Sequence, residues 1–343
     1  MRYAEISPGR VRLRTGASAP LEVGSARVSV LGCGVCGTDL HALRGMVLPR
    51  GVDYPLRPGH EVVGTVTELA GDTDGPSVGE TVVLHPLAPC GDCAACARGE
   101  EQLCARGRAL GFHDPGGLAD EVVWPAARMV EVGGLPPEQA ALLADAVATA
   151  YHALRCTDLP PGGSLCVLGA GGLGGQVLRL VRVLDPQARV AAVVRRESTA
   201  ELVEALGGIA VRGLDDAVGG VREAIGPADA VVDFTGDETA AATGLRMLRA
   251  GGSLVVGSVV DKPIQLGTSV TGLTAREMRV RGAYVSTMDE LRTVTSLARA
   301  GKLDLSGAVS HVLALEQTAE ALRLLEERPS GLQRIVVRPE GDS

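Results

Sequence analysis

The sequence predicts an α/β chain in two parts, a β-rich portion with irregular loops and a doubly wound parallel sheet covered on both faces by helices. Three observations carry this reading. Before residue 145 the apolar runs are short and β-branched, at 27–30, 61–68 and 81–84, and are split by Gly, Pro and Asp, as small all-β folds read. After it, strand patterns at 165–168, 190–194, 209–211, 228–234, 253–257 and 279–284 alternate with helix patterns at 172–184, 199–206 and 239–249. The tail returns to a mixed pattern, a helix at 315–325 and a strand at 334–338, which predicts that it rejoins the first part. No internal repeat or low-complexity segment breaks this order.

A chain of 343 residues has room for about two domains, at ~100–200 residues each. Hydrophobic residues make up 45% and aromatics only 2%, so the interior is built from Ala, Val, Leu and Gly, and rings are too scarce for an aromatic ligand platform. The 33 basic and 41 acidic residues leave a formal charge of −8, which argues against nucleic acid or anionic membrane as the main partner and leaves small molecules. No apolar run approaches the ~20 residues of a spanning helix, and MRYAEISPGR lacks a signal-peptide core, so a cytoplasmic location is expected. Eight cysteines in a reducing compartment point to metal ligation rather than a disulfide framework. Cys33, Cys156 and Cys166, flanked by Gly, Leu or Val, read as small buried hydrophobes.

VLGAGGLGG, residues 167–175, follows the first strand of the alternating region and opens its first helix, which sets Gly169, Gly171 and Gly174 in a G-x-G-x-x-G frame with Gly172 and Leu173 inside it. Such glycines allow a tight turn, let backbone approach a pyrophosphate and let helix and strand pack closely, while the helix N-terminus offers amides to the phosphates. An NAD-binding fold has Asp or Glu about 20 residues further on, for the ribose hydroxyls. Here that position falls on Val194, followed by Arg195 and Arg196. A missing carboxylate with two guanidiniums favours NADP(H) over NAD(H), because Arg makes charge-assisted contacts to a 2′-phosphate. The alternative is two arginines on a solvated loop beside an NAD site.

Two sets of metal-ligand residues stand in the first 145 residues, and their designs differ. Cys90, Cys93, Cys96 and Cys104 are four thiols separated by Gly, Ala and polar residues, a set that closes a tetrahedral Zn²⁺ shell and fixes a lobe too polar to have its own core. An iron-sulfur cluster competes, but the Cys-Pro that bacterial ferredoxin spacing adds is missing. Cys36, the His60-Glu61 pair and Asp145 are widely spaced and chemically mixed, the character of a site with a replaceable ligand. Asp39 is a candidate to orient the His60 imidazole through its distal nitrogen. Cys33 and Cys36 also make a C-x-x-C, without the context of a redox pair. Thr38 as a helix cap, His41 as a solvated helix residue and Asp145 as a cap of the following helix are the plain alternatives for those three.

GCGVCGTDLH, PGHEVVG, the GDCAACARGEEQLC lobe and VLGAGGLGG, in this order, resemble the zinc-dependent alcohol dehydrogenases of the medium-chain dehydrogenase/reductase superfamily over essentially the whole chain. The resemblance implies a GroES-like catalytic domain from 1–144 and 285–343, with a structural zinc lobe at about 88–106, and a Rossmann domain at 145–284. It implies that Cys36, His60 and Asp145 ligate a catalytic zinc with Glu61 as its exchangeable neighbour, and that Cys90, Cys93, Cys96 and Cys104 hold a structural one. Thr38 would bond the substrate oxygen, His41 would end a proton relay, and backbone around Val256, Ala283 and Val285 would hold the nicotinamide carboxamide. The expected reaction is hydride transfer between NAD(P) and an alcohol or carbonyl, a secondary alcohol or sugar-like polyol being favoured. A reductase of activated C=C or imine bonds and a non-catalytic dinucleotide-binding protein are the rivals, against which intact Cys36, Thr38, His41 and His60 argue. Arg44, Arg50 and Arg57 read either as an attraction for an anionic substrate or as solvated loop residues. The resemblance also implies a homodimer or homotetramer, paired through the sheet edge at 279–284.

Overall fold

The β-branched runs of the first part pair into an antiparallel sheet in the computed structural model, which describes residues 1–71, 73, 75–213 and 216–339. The chain divides into one unit made of Met1–Ala148 and the segment from Ser286 onward, and a second made of Thr149–Val285. Asp145 therefore belongs with Cys36 and His60 in the first unit, three residues inside its boundary at Ala148, whereas the expected boundary at 144 would have put it in the second.

Seven strands form the main sheet of the first unit, in the order Val309–Ala314, Arg334–Arg338, Ser25–Val35, Glu61–Leu69, Thr81–Leu84, Met129–Glu131, with Glu121–Pro125 added against the start of Ser25–Val35. Ser25–Val35 is central because its alternate residues Ala26, Val28 and Val30 are buried, and it pairs on both sides. The single Trp, Trp124, is 1% exposed among Ile6, Leu84, Leu110 and Leu118. The C-terminal strand Arg334–Arg338 lies directly beside Ser25–Val35, so the last segment completes the sheet that the first begins. Strand Val309–Ala314, which pairs parallel to it at the sheet edge, lies outside the predicted strands: it is only half-buried, and its apolar residues Val312–Ala314 run on into the helical segment that starts at Leu315.

Six parallel strands make the sheet of the second unit, in the order Ile209–Arg212, Arg189–Val194, Ser164–Leu168, Ala228–Asp233, Leu248–Val256, Arg279–Gly282. This is the strand order of a dinucleotide-binding sheet, with the chain reversing direction beside Ser164–Leu168. All five residues of Ser164–Leu168 are buried, as a central strand covered on both faces requires. Two of the longer helices lie outside the predicted patterns. Ala217–Ile225 carries Gly219 and Gly220 in mid-helix, which weakens its signal. Met288–Arg299 has a clear one, since Thr287 and Glu290 form a capping box and Met288, Leu291, Val294 and Ala298 bury one face.

Candidate active site and metal centres

The short hairpin Leu87–Ala88 with Arg108–Ala109 closes the base of the four-thiol lobe. Within it Cys93 starts the helix Ala94–Ala97, Cys96 lies inside that helix, and a 3₁₀ turn at Glu101–Leu103 delivers Cys104. The sulfurs lie 3.4 Å (Cys90–Cys104), 3.5 Å (Cys93–Cys96) and 3.8 Å (Cys93–Cys104) apart. Ligands at ~2.3 Å around one tetrahedral ion stand about 3.8 Å from each other, whereas a disulfide needs ~2.05 Å. The spacing fits one ion, and thiols in mutual contact leave no room for an iron-sulfur cluster.

Cys36, the adjacent His60 and Glu61, and Asp145 converge from three places in the chain, with one ligand atom of each within 4.8 Å of the others and all four residues buried. Cys36 ends the central strand and caps helix Gly37–Leu43, and His60 immediately precedes strand Glu61–Leu69. Asp145 sits in a π-helical turn, Leu143–Val147, where Val147 N–H bonds the Leu142 carbonyl at 2.9 Å. That wider turn lies inside a helical run from Pro137 to Arg155, so Asp145 is not a helix cap. Its Oδ2 is 3.6 Å from both Cys36 Sγ and His60 Nε2. Asp39 accepts the Cys36 amide at 2.9 Å, and its other oxygen stands 3.7 Å from His60 Nδ1, which is buried without a hydrogen-bond partner, while Nε2 faces Asp145.

Glu61 is fully buried and reaches over Gly34, its cross-strand partner. A Cβ on Gly34 would lie 2.0 Å from Glu61 Oε2, so only glycine leaves this path open. Across the same gap Glu61 Oε1 accepts from Arg334, which is 5% exposed and comes from the C-terminal strand. Glu61 Oε2 has no hydrogen-bond partner. Burial pushes the Glu61 carboxyl up to about 7, against the pull of Arg334 and with the push of Asp145. Burial works against a charged His60, yet Asp39, Asp145 and Cys36 together hold it well above the ordinary imidazole range. A thiol, two carboxylates and an imidazole packed this closely form a pocket electron-rich enough to hold a divalent cation, and the bare oxygen of Glu61 is a further donor. Arg334 carried no signal in the sequence reading, because it stands 273 residues from its partner.

Thr38 is the second residue of helix Gly37–Leu43 rather than its cap, with Oγ1 3.7 Å from Cys36 Sγ. His41 follows on the same helix face, three residues on. Two of the three arginines read as an anion attraction have other partners: Arg44 pairs with Glu326, and the Arg57 guanidinium stacks 3.9 Å from the centre of the Tyr3 ring.

In the second unit the glycine turn joins Ser164–Leu168 to helix Gly174–Leu184. Gly169 takes φ +86°, and a Cβ on Gly174 would stand 2.2 Å from the Gly169 carbonyl oxygen. Around Gly171, by contrast, no atom lies within 4 Å of a Cβ position, the open space that a phosphate approaching the backbone requires. Gly172 and Leu173 complete the turn, half-buried. Val194 is buried at the end of the neighbouring strand, while Arg195 and Arg196 are exposed in the turn after it. The Val256 carbonyl accepts the Ala283 amide at 2.9 Å. Val285 holds φ +50°, a conformation that strains a β-branched residue by ~1–3 kcal/mol and clusters at functional sites.

A β-rich unit with two ligand clusters and a parallel sheet with an open phosphate turn define a metal-binding, dinucleotide-dependent dehydrogenase. Residues 22–134 match the alcohol dehydrogenase GroES-like domain, and residues 171–300 the zinc-binding dehydrogenase domain. An alcohol dehydrogenase of Geobacillus stearothermophilus is 31% identical over 90% of this chain and 89% of its own. D-arabinitol dehydrogenase 1 of Uromyces fabae is 30% identical over 90% and 88%. The crystal structure of the alcohol dehydrogenase from Aeropyrum pernix superposes with a TM-score of 0.88 at 28% identity, covering 99% of this chain and all of that one (100%). The chain belongs to the zinc-binding alcohol dehydrogenases of the medium-chain dehydrogenase/reductase superfamily. It is an NAD(P)-dependent oxidoreductase of alcohols and the corresponding carbonyls.

Proposed function

We propose that the enzyme oxidises a secondary alcohol or sugar-like polyol, or reduces the matching carbonyl, with NADP(H) as its preferred cofactor. In this reading Cys36, His60 and Asp145 hold a catalytic zinc, Glu61 is its exchangeable neighbour, and Cys90, Cys93, Cys96 and Cys104 hold a structural zinc. The observation that carries it is the convergence of four buried ligand atoms within 4.8 Å, one residue of which keeps an oxygen without a partner.

When bound, zinc with an open position supplies Lewis acidity to an oxygen, and the nicotinamide donates or accepts hydride. The residues of the chain do the rest. Asp39 holds the His60 ring in the orientation that leaves Nε2 for the metal. The Thr38 hydroxyl, a donor and an acceptor at once, bonds the substrate oxygen and takes up its proton as it passes its own on. His41 delivers that proton to water in oxidation and returns it in reduction. Gly169, Gly171 and Gly174 admit the pyrophosphate, and the backbone at Val256, Ala283 and Val285 positions the carboxamide.

The polyol preference draws on the arabinitol dehydrogenase relative and on an aromatic content of 2%, which offers little to planar aryl alcohols. The NADP(H) preference rests on Val194 standing where a carboxylate would hold the ribose hydroxyls, with Arg195 and Arg196 exposed just beyond. Arg195→Ala is expected to raise the KM for NADP(H) by roughly 10-fold, the scale of one charge-assisted contact, and to leave that for NAD(H) unchanged. Kinetics with both cofactors over a panel of secondary alcohols, polyols and aryl alcohols check both preferences. A tighter NAD(H) value that persists in the variant would contradict the cofactor assignment. The unpaired outer edge of strand Arg279–Gly282, exposed along its length, supports two-fold pairing into a homodimer, itself able to build a tetramer.

A further inference from the structure

Glu101 lies in the four-thiol lobe, in the 3₁₀ turn between Cys96 and Cys104, yet its carboxylate bonds Arg128 and Met288 rather than a thiol. Its two oxygens accept from the Arg128 guanidinium at 2.9 and 3.2 Å, and Oε1 also accepts the Met288 amide at 2.6 Å. Met288 is the first residue of a 12-residue helix, so this carboxylate satisfies an amide that has no partner within the helix and places negative charge at its positive end. Arg128, 8% exposed, passes the connection on. Its Nε donates to the Leu87 carbonyl at 2.8 Å and its Nη2 to His85 Nδ1 at 2.9 Å.

A guanidinium only donates, so Nδ1 of His85 is an acceptor and the ring proton sits on Nε2. Nε2 then donates to the Ser286 carbonyl at 3.0 Å. His85 and Ser286 are both 0% exposed, which leaves neither group water as a substitute. The segment from Ser286 to Met288 is thus gripped at both ends, by His85 and by Glu101, with the Thr287–Glu290 capping box between. The residue peptide-bonded to its start is Val285, held at φ +50°. A strained residue keeps such a conformation only where its neighbours are fixed.

We propose that Glu101 is a positioning residue for the cofactor: through Arg128, His85 and Met288 it fixes the 286–288 backbone, and so holds Val285 in the conformation that receives the nicotinamide carboxamide. The four-thiol lobe, on this view, contributes to cofactor affinity and not only to local stability. The inference rests on the reading of Val285 as part of the carboxamide site, and the test separates the two.

The experiment is calorimetric titration of the full-length, zinc-loaded enzyme with the tighter-binding of NADH and NADPH, and with the same molecule lacking nicotinamide, ADP-ribose or its 2′-phosphate. In the wild type the complete cofactor should bind more tightly. Glu101→Gln, with zinc content unchanged, should weaken the complete cofactor by roughly 10-fold and leave the truncated one within about 2-fold, because a charge-assisted bond becomes a neutral one. A general loss of structure would weaken both alike and would overturn the proposal, as would a wild-type difference that survives in Glu101→Gln. Equal affinities for the two molecules in the wild type would instead overturn the carboxamide reading on which it stands. Should Glu101→Gln not fold, the comparison moves to His85. His85→Gln can still accept from Arg128 and donate to Ser286 and should keep the discrimination, whereas the shorter His85→Asn should lose it; equal behaviour of the two would overturn the proposal.

Discussion

Asp145→Ala is expected to lose about one zinc per chain and at least ~10²-fold in turnover, the scale set by removing a principal stabiliser of developing oxygen charge, while the fold survives. The fold should tolerate it because Asp145 lies inside a continuous helical run and alanine is the best helix former. The metal should not, because Oδ2 stands 3.6 Å from both Cys36 Sγ and His60 Nε2 and no other described carboxylate shares that position except Glu61, which Arg334 engages. Metal analysis, circular dichroism and steady-state kinetics on one preparation check all three parts. Unchanged stoichiometry would clear Asp145 of the role.

The second large effect concerns stability. Arg334→Met removes the guanidinium that pairs with the buried Glu61 carboxylate, and breaking a buried pair from one side costs ~3–5 kcal/mol. The double variant Glu61→Gln with Arg334→Met removes the stranded charge and should recover much of the loss. Denaturant unfolding of the single and double variants measures both. A single-variant cost under ~1 kcal/mol would mean that the pair matters little beside the rest of the sheet.

Much of this architecture was legible because it is written locally. The strand at 165–168, the glycine turn and the helix after it are contiguous, and each needs residues that few other structures need: a fully apolar strand, small residues at fixed offsets, an amphipathic run. The four thiols are legible for the same reason, since their ligand set is complete within 15 residues, counted from Cys90 to Cys104. The mixed cluster is harder. Cys36, His60, Glu61 and Asp145 are chemically suggestive, but only tertiary structure brings them together, and it was the family resemblance that gave Asp145 the place of a third ligand.

What escaped sequence reading depends on pairing at long range. Arg334 reaches Glu61 because two strands distant in the chain flank Ser25–Val35 and because Gly34 has no side chain between them. Arg128, His85 and Glu101 stand in three separate segments of the sequence, and no local pattern links them into a buried network. Helix Met288–Arg299 is a different case, since its signal is local: Thr287 and Glu290 stand at capping-box spacing, and Leu291, Val294 and Ala298 follow at helical period.

The central claim is that turnover requires a metal held by Cys36, His60 and Asp145. Its most direct test is zinc content and turnover measured together while a chelator is titrated into the folded enzyme. The account predicts about two zinc ions per chain at the start and activity that falls in step with the loss of the one in the open site, returning when zinc is restored. A folded sample stripped of that metal and still turning over at full rate would contradict it.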